Sequence, residues 1–301
     1  MAGGTVILTY HRVARDLIDP HLIVVDPSHF GEHLSRLGQL AEPVSLHDIL
    51  DRSSGPRVAI TLDDGYADNV TEAMPRLEAE MIPATVFITS AMVGARREFW
   101  PDRLERSVRN APTSLRHVRL DVGGTAVTVD IGSETARRRA MWALHARLRP
   151  RPPGEIDSVL DALAQQLDTI EDGERRRPVN PDEVRQLAAS PVMTVGAHTR
   201  RHPWLASLDV ADQNDEIVGG RAELEELVGE PVDLFAYPYG MPGSYDRRTV
   251  RIVRRAGFTL ACTTHGDPLT RLTSRYRLPR RSVLDWDGDE FEQHLRRWLD
   301  E

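Results

Sequence analysis

The chain has 301 residues, 40% hydrophobic and 28% charged, enough for one large domain or two small ones around a sizeable core. Its net charge of −8 argues against nonspecific nucleic-acid binding, and no apolar stretch approaches the ~20 residues that span a bilayer. All 38 basic residues are arginine and Cys262 is the single cysteine, which excludes lysine-based catalysis, a P-loop, an intrachain disulfide and a thiolate metal cluster.

The N-terminal MAGGTVILTYHRV has no basic leader and turns polar within a few residues, so it predicts a first strand over 5–10 in a cytoplasmic protein without a signal peptide. An amphipathic helix over 27–40 follows, with Ser28 as its cap, then a strand over 57–63, a helix over 69–81 and a strand over 84–89. From 96 to about 180 the rhythm breaks. This Arg-rich segment carries a hairpin pattern over 116–131 around Gly123-Gly124, helical patterns in ETARRRAMWALHARLR and EIDSVLDALAQQL, and linker-like stretches at 149–155 and 171–183. The alternation then resumes with strands over 192–198, 232–238 and 259–264. Between them lie helices over 210–229 and 244–257, the second capped by Ser244 and the two stopped by Gly229 and Gly257, and a closing helix occupies 287–301. Short, regularly spaced strands apolar on both faces predict an α/β fold, a parallel barrel rather than an open sheet. The barrel is assigned to 1–95 and 181–301, and 96–180 is an inserted α+β segment too long for a simple loop, a lid or specificity region.

Three motifs end strands of this pattern. In VAITLDDGYADN, the adjacent Asp63 and Asp64 sit at a strand's carboxyl end; Asp-Asp-Gly is also ordinary turn chemistry. The strand VMTVGAH runs into HTRRHPWL, where His198 and His202 are four apart, so one helical turn would place both imidazoles on one side. Two histidines with a carboxylate form a borderline-metal ligand set, although a His pair at this spacing also arises incidentally. FAYPYG (235–240) brings a proline-fixed backbone with the Tyr239 N–H free to point inward, and LTYHRV (8–13) brings His11, which could equally be a satisfied rim residue. In a barrel, strand carboxyl ends converge on the active site, so these groups share one rim.

TLDDGY, HTRRH and FAYPYG, in this order, resemble the polysaccharide deacetylase family, the NodB-homology or carbohydrate esterase family 4 group, over roughly residues 5–95 and 185–285. The resemblance implies a distorted (β/α) barrel of the NodB type that binds a divalent metal, commonly Zn²⁺, and removes acetyl groups from N-acetylated sugars. Position by position, it makes Asp63 the catalytic base and Asp64, His198 and His202 the metal ligands, with the Tyr239 N–H helping to bind the oxyanion. Two departures stand out. The family's third motif carries an arginine that holds the catalytic Asp; here that position is Ala236, and Arg280 in RLPRRSV is the expected substitute. The late Leu-x-His motif that supplies the general acid is also absent. Some members are permuted and bring this histidine from an N-terminal YH strand, which makes His11 the expected acid over His265 in CTTHGD.

The implied chemistry divides labour between the adjacent carboxylates: Asp64 binds the cation, and Asp63 takes the proton of the attacking water. The expected substrate is a soluble N-acetylated sugar or glycoconjugate inside the cell, with Trp100 in the insertion as either a sugar-stacking platform or a packing anchor. Two alternatives remain open at this stage: an amidohydrolase acting on a non-sugar C–N bond, such as a cyclic imide or ureide, and a metal-binding pseudoenzyme that holds a glycan. Oligomeric state is not legible.

Overall fold

The computed structural model describes residues 4–15, 18–51, 54–169 and 176–301. In chain order the strands are β1 (Thr5–Tyr10), β2 (Arg12–Val13), β3 (Val24–Val25), β4 (Glu42–Pro43), β5 (Arg57–Leu62), β6 (Ala84–Ile88), β7 (His117–Val122), β8 (Thr125–Asp130), β9 (Met193–Ala197), β10 (Leu234–Ala236), β11 (Leu260–Cys262) and β12 (Arg281–Ser282). The helices are α1 (Pro27–Leu40), α2 (Met74–Ala79), α3 (Trp100–Arg109), α4 (Glu134–Leu148), α5 (Pro153–Leu167), α6 (Pro181–Ala189), α7 (Val210–Asn214), α8 (Gly220–Val228), α9 (Arg247–Arg255) and α10 (Gly288–Asp300).

The main sheet is parallel, runs β11-β10-β9-β6-β5-β1-β12 with β4 paired beside β5, and curls into a half-barrel wrapped by helices. One stretch reaches both ends of this order. Leu278 donates to the Ala261 carbonyl and accepts from the Thr263 N–H, while Leu8 and Thr9 of β1 pair with Arg281 and Ser282. The stretch 278–282 therefore ties the last long strand to the first, with Arg280 in its middle.

Strand periodicity explains which residues reach the inside. Val6, Leu8 and Tyr10, with Val58, Ile60 and Leu62, pack toward the helices in the larger buried cluster. Ile7, Ala59 and Phe87 face the opposite way, with Leu234, Ala236 and Cys262. Stepping by two along that second face from Ile7, Ala59 and Gly196 arrives at His11, Asp63 and His198, all just past the carboxyl ends of their strands. Gly196 is required there: a Cβ would lie 2.5 Å from the Phe87 ring.

Several expectations need correction. The first helix is capped by Asp26, whose side chain accepts from the Ser28 N–H, and α9 by Asp246, which accepts from the Arg248 and Thr249 N–H groups; Ser28 and Ser244 are not the caps. Gly229 and Gly257 do follow helix ends in left-handed conformation. The stretch 210–229 is two α-helices joined by a wider π-type turn at Asp215–Gly219.

The inserted segment holds the β7–β8 hairpin and α3 to α5. It buries a cluster of its own, including Leu104, Leu120, Leu144, Ile156 and Leu160. The chain comes back to the barrel at Arg177–Val179, where the Arg177 carbonyl accepts from Ala67 N–H and Val179 N–H donates to Gly65. Residues 171–175 of the linker-like stretch, and the first three of the N-terminal stretch, lie outside the described residues.

Candidate active site

The turn after β5 is strained into position. Asp63 N–H donates to the Tyr10 carbonyl at 3.0 Å, and Asp64 then adopts φ 76°, with Gly65 at φ 84°. A non-glycine residue in the left-handed region costs of order 1 kcal/mol, and such residues gather at functional sites. Thr199 (φ 64°), His202 (φ 54°) and Tyr239 (φ 61°) share this conformation, and Asp64, His202 and Tyr239 line one cavity.

The two histidines meet through a loop, which corrects the expected helical turn. Thr199 and His202 are both left-handed, and the Thr199 Oγ1 accepts from His202 N–H at 3.1 Å, giving imidazole centroids 4.8 Å apart. The loop is pinned from both sides. Ser90 and Ala91 N–H groups donate to the Thr199 and Arg200 carbonyls, and the buried Glu216 carboxylate accepts from Arg200 N–H, Arg201 N–H and Arg201 Nε. Glu216 is a positioning residue that sequence reasoning missed, since it sits within a helical pattern with no motif around it.

Asp64 Oδ1 lies 3.5 Å from the Nε2 atoms of both His198 and His202. His198 Nδ1–H donates to the Ala236 carbonyl at 2.8 Å, which fixes the tautomer and turns the Nε2 lone pair toward Asp64. Burial holds His202 down to about 4, so it is a neutral imidazole at pH 7. Burial by itself would raise Asp64; the imidazoles of His198, His202 and His11 around it outweigh this and hold its carboxyl below the usual range. The donor atoms lie within 4.8 Å of one another, and a tetrahedral zinc site needs its ligand atoms about 3.3 Å apart at ordinary Zn–N and Zn–O lengths. The three residues fit a divalent cation of the zinc type.

Asp63 is separate from that set. Arg280 grips it with two hydrogen bonds, Nη1 to Oδ1 at 2.7 Å and Nη2 to Oδ2 at 2.6 Å, and both residues are buried. The guanidinium is itself held by the Thr263 carbonyl at 2.9 Å and Thr61 Oγ1 at 3.0 Å. Arg280 thus takes the place left empty by Ala236, reaching Asp63 from the stretch that links β11 to β1. Burial pushes the Asp63 carboxyl up, but Arg280, with His198 and His11, holds it below the usual range.

His11 lines the same cavity of about 240 Å³ as Asp63, Asp64, His198 and His202, and its carbonyl is held by Asn69 Nδ2. His265 does not line it; its Nε2 lies 3.3 Å from the Tyr245 hydroxyl. The Tyr239 N–H has no acceptor among the described residues, and its ring packs on His202 with centroids 4.7 Å apart. Trp100 Nε1 donates to the Tyr239 hydroxyl at 3.3 Å, so the insertion is joined to the loop after β10 that carries this donor. The arrangement offers a cation site, a fixed carboxylate beside it, an imidazole and a free backbone donor around one small space.

Among curated proteins, none matches the chain. Solved structures do. The Streptococcus pyogenes deacetylase PplD, in complex with acetate, superposes with a TM-score of 0.63 at 15% identity, covering 100% of both chains. IcaB from Ammonifex degensii gives 0.63 at 19% identity over 99% of this chain and 98% of that one. A de-N-acetylase from Aggregatibacter actinomycetemcomitans gives 0.60 at 14% over 98% and 99%. At these identities the likeness is one of fold, and the curled sheet is the expected distorted (β/α) barrel. The polysaccharide deacetylase family model matches residues 51–117 and 157–261 and breaks inside the insertion. With that match over more than half of its length, the chain belongs to the polysaccharide deacetylase family.

Proposed function

We propose that the protein is a metal-dependent carbohydrate N-deacetylase that hydrolyses the acetamide of an N-acetylated amino sugar or glycoconjugate. The observation that carries this reading is the pairing, in one cavity, of the Asp64–His198–His202 donor set with a second buried carboxylate that is not part of it. A divalent cation held by those three residues, Zn²⁺ by the character of the donors, would supply Lewis acidity and make water a nucleophile near neutral pH.

The chain's own groups carry the protons. Asp63 is kept ionised by Arg280, and a carboxylate has lone pairs beyond the two that the guanidinium occupies, so it accepts the proton of the attacking water. The Tyr239 N–H stabilises the negative charge that develops on the amide oxygen. His11, in its protonated form, gives a proton to the departing nitrogen, without which the amine leaves poorly. Buried Arg280 and Glu216 hold the base and the histidine loop in place. No helix among the described residues is long and apolar enough to cross a membrane. We place the reaction in the cytoplasm, on a composition with a single cysteine.

The test is acetate release from a panel of N-acetylhexosamine glycosides by Zn²⁺-loaded protein, with cyclic imides as the non-sugar control. Release from the glycosides supports the reading; turnover of the imides alone would replace it with an amidohydrolase.

A further inference from the structure

A line of rings leads out of the cavity. It starts at Tyr239 and crosses its hydrogen bond to Trp100, whose ring stacks on His145 with centroids 4.8 Å apart and planes within 23°. His145 packs against Trp142 at 5.7 Å and against His21 at 5.2 Å, and His21 meets Trp142 at 5.3 Å. Trp142 ends the line at the surface, 48% exposed. Trp142 and His145 are three apart on α4, which places them on one face of that helix. His21, Trp142 and His145 all lie outside the residues that match the family, so the wall belongs to this chain's own insertion and its neighbouring loop.

Polar atoms of the wall are unpaired, among the described residues, at His145 and at His21 Nε2. The His21 Nε2 is buried with no hydrogen-bond partner, and neither ring nitrogen of His145 has one among the described residues. Burial lowers both imidazoles, His145 to about 4, so at pH 7 His145 presents one N–H donor and one acceptor, while His21 spends one nitrogen on the Pro101 backbone. That suits hydroxyl groups, which both donate and accept. It does not suit phosphate. The two guanidinium groups lining the cavity are already engaged, Arg97 by Asp157 at 3.0 Å and Arg201 by Glu216 at 2.7 Å, and the lining carries further carboxylates at Glu98 and Asp102.

We infer that Trp100, His145, His21 and Trp142 form a second subsite, which holds a neutral, hydroxylated ring attached to the N-acetylated sugar. Indole faces stack on the C–H face of a pyranose, and the His145 nitrogens take its hydroxyls. This inference rests on the deacetylase reading and narrows its substrate to a glycoside carrying a second neutral ring, as against a nucleotide-linked or diphosphate-linked sugar.

The test compares three probes on the Zn²⁺-loaded full chain: methyl N-acetyl-β-glucosaminide, N,N′-diacetylchitobiose and UDP-N-acetylglucosamine. The two-ring probe is expected to exceed the methyl glycoside in kcat/KM by about tenfold, through KM, a gap on the scale of one aromatic stacking contact. In Trp142→Ala, whose exposed position makes misfolding no concern, that ratio falls to near one. Equal kcat/KM for the one-ring and two-ring probes, or a preference for the UDP sugar, overturns the inference while leaving the deacetylase reading standing. Tryptophan fluorescence titration with N,N′-diacetylchitobiose reads the subsite without turnover. A saturable change that is lost in Trp142→Ala supports it even if no acetate is released from any probe, and no saturable change overturns it.

Discussion

Replacing Arg280 by leucine leaves Asp63 as a buried carboxylate without its partner. The two side chains are 1% and 2% exposed and joined by hydrogen bonds of 2.7 and 2.6 Å, so water compensates little. Breaking one end of such a pair costs about 3–5 kcal/mol. The lost bonds to Thr61 and the Thr263 carbonyl add roughly 1 kcal/mol each. Against a typical total of ~5–15 kcal/mol, the single variant sits near the edge of folding. The assay is urea denaturation of wild type, Arg280→Leu, Asp63→Asn and the double variant at pH 7. The double variant should recover about 2 kcal/mol or more relative to the sum of the singles, since neither charge is then left alone. Because Arg280 holds the Asp63 carboxyl below its unfolded value, the pair's contribution is in place above about pH 4 and fades as pH falls through the folded value. An Arg280→Leu protein within 1 kcal/mol of wild type, or strictly additive variants, would refute this account of what holds the base.

Three further outcomes follow from the site and the core. His202→Ala should lose both cation and activity, measured by metal content after dialysis and by acetate release; retained metal would remove His202 from the donor set. His11→Ala should reduce amide hydrolysis far more than hydrolysis of an activated ester, whose leaving group needs little protonation, whereas His265→Ala should affect neither strongly. The reverse pattern moves the acid to the C-terminal loop. His33, buried at the α1–α10 contact, donates from Nε2 to the Trp286 carbonyl and accepts at Nδ1 from the Tyr10 hydroxyl, and burial holds it down to about 4. Its folded value lies below its unfolded one, so the stability it supports is complete above about pH 6.5 and is lost as pH falls toward 4, by roughly 3 kcal/mol. Urea titrations at pH 7 and pH 4.5 should show this slope and its loss in His33→Phe; identical slopes would contradict it.

Much of the barrel was legible because its strands are continuous apolar runs: β1 and β5 begin where the pattern places them. The caps were not, because Ser28 and Ser244 compete with nearby aspartates of equal capping power, and Asp26 and Asp246 win. Helix α3 escaped detection since Asp102, Arg103, Glu105 and Arg106 look like a solvated face yet are buried. They are buried as pairs, with Arg103 on Asp157 and Asp161, and Arg106 on Glu98. Strands of two residues such as β12 leave no periodic trace, so the link that delivers Arg280 to Asp63 could be suspected from a missing motif residue but not read from pattern. The His198–His202 spacing pointed to the right neighbours for the wrong reason: a strained loop brings them together, and only its glycine partner, Gly220, whose Cβ would lie 2.8 Å from the Thr199 backbone, hints at it.

The central claim is the division of labour between Asp63 and Asp64, and paired metal analysis and acetate release on wild type and Asp63→Asn test it most directly. Both proteins should hold one divalent cation per chain, and Asp63→Asn should lose about 10²-fold or more in turnover, since an amide does not accept the proton. Full-rate acetate release by wild type after exhaustive chelation, or loss of the metal from a folded Asp63→Asn protein, would contradict it.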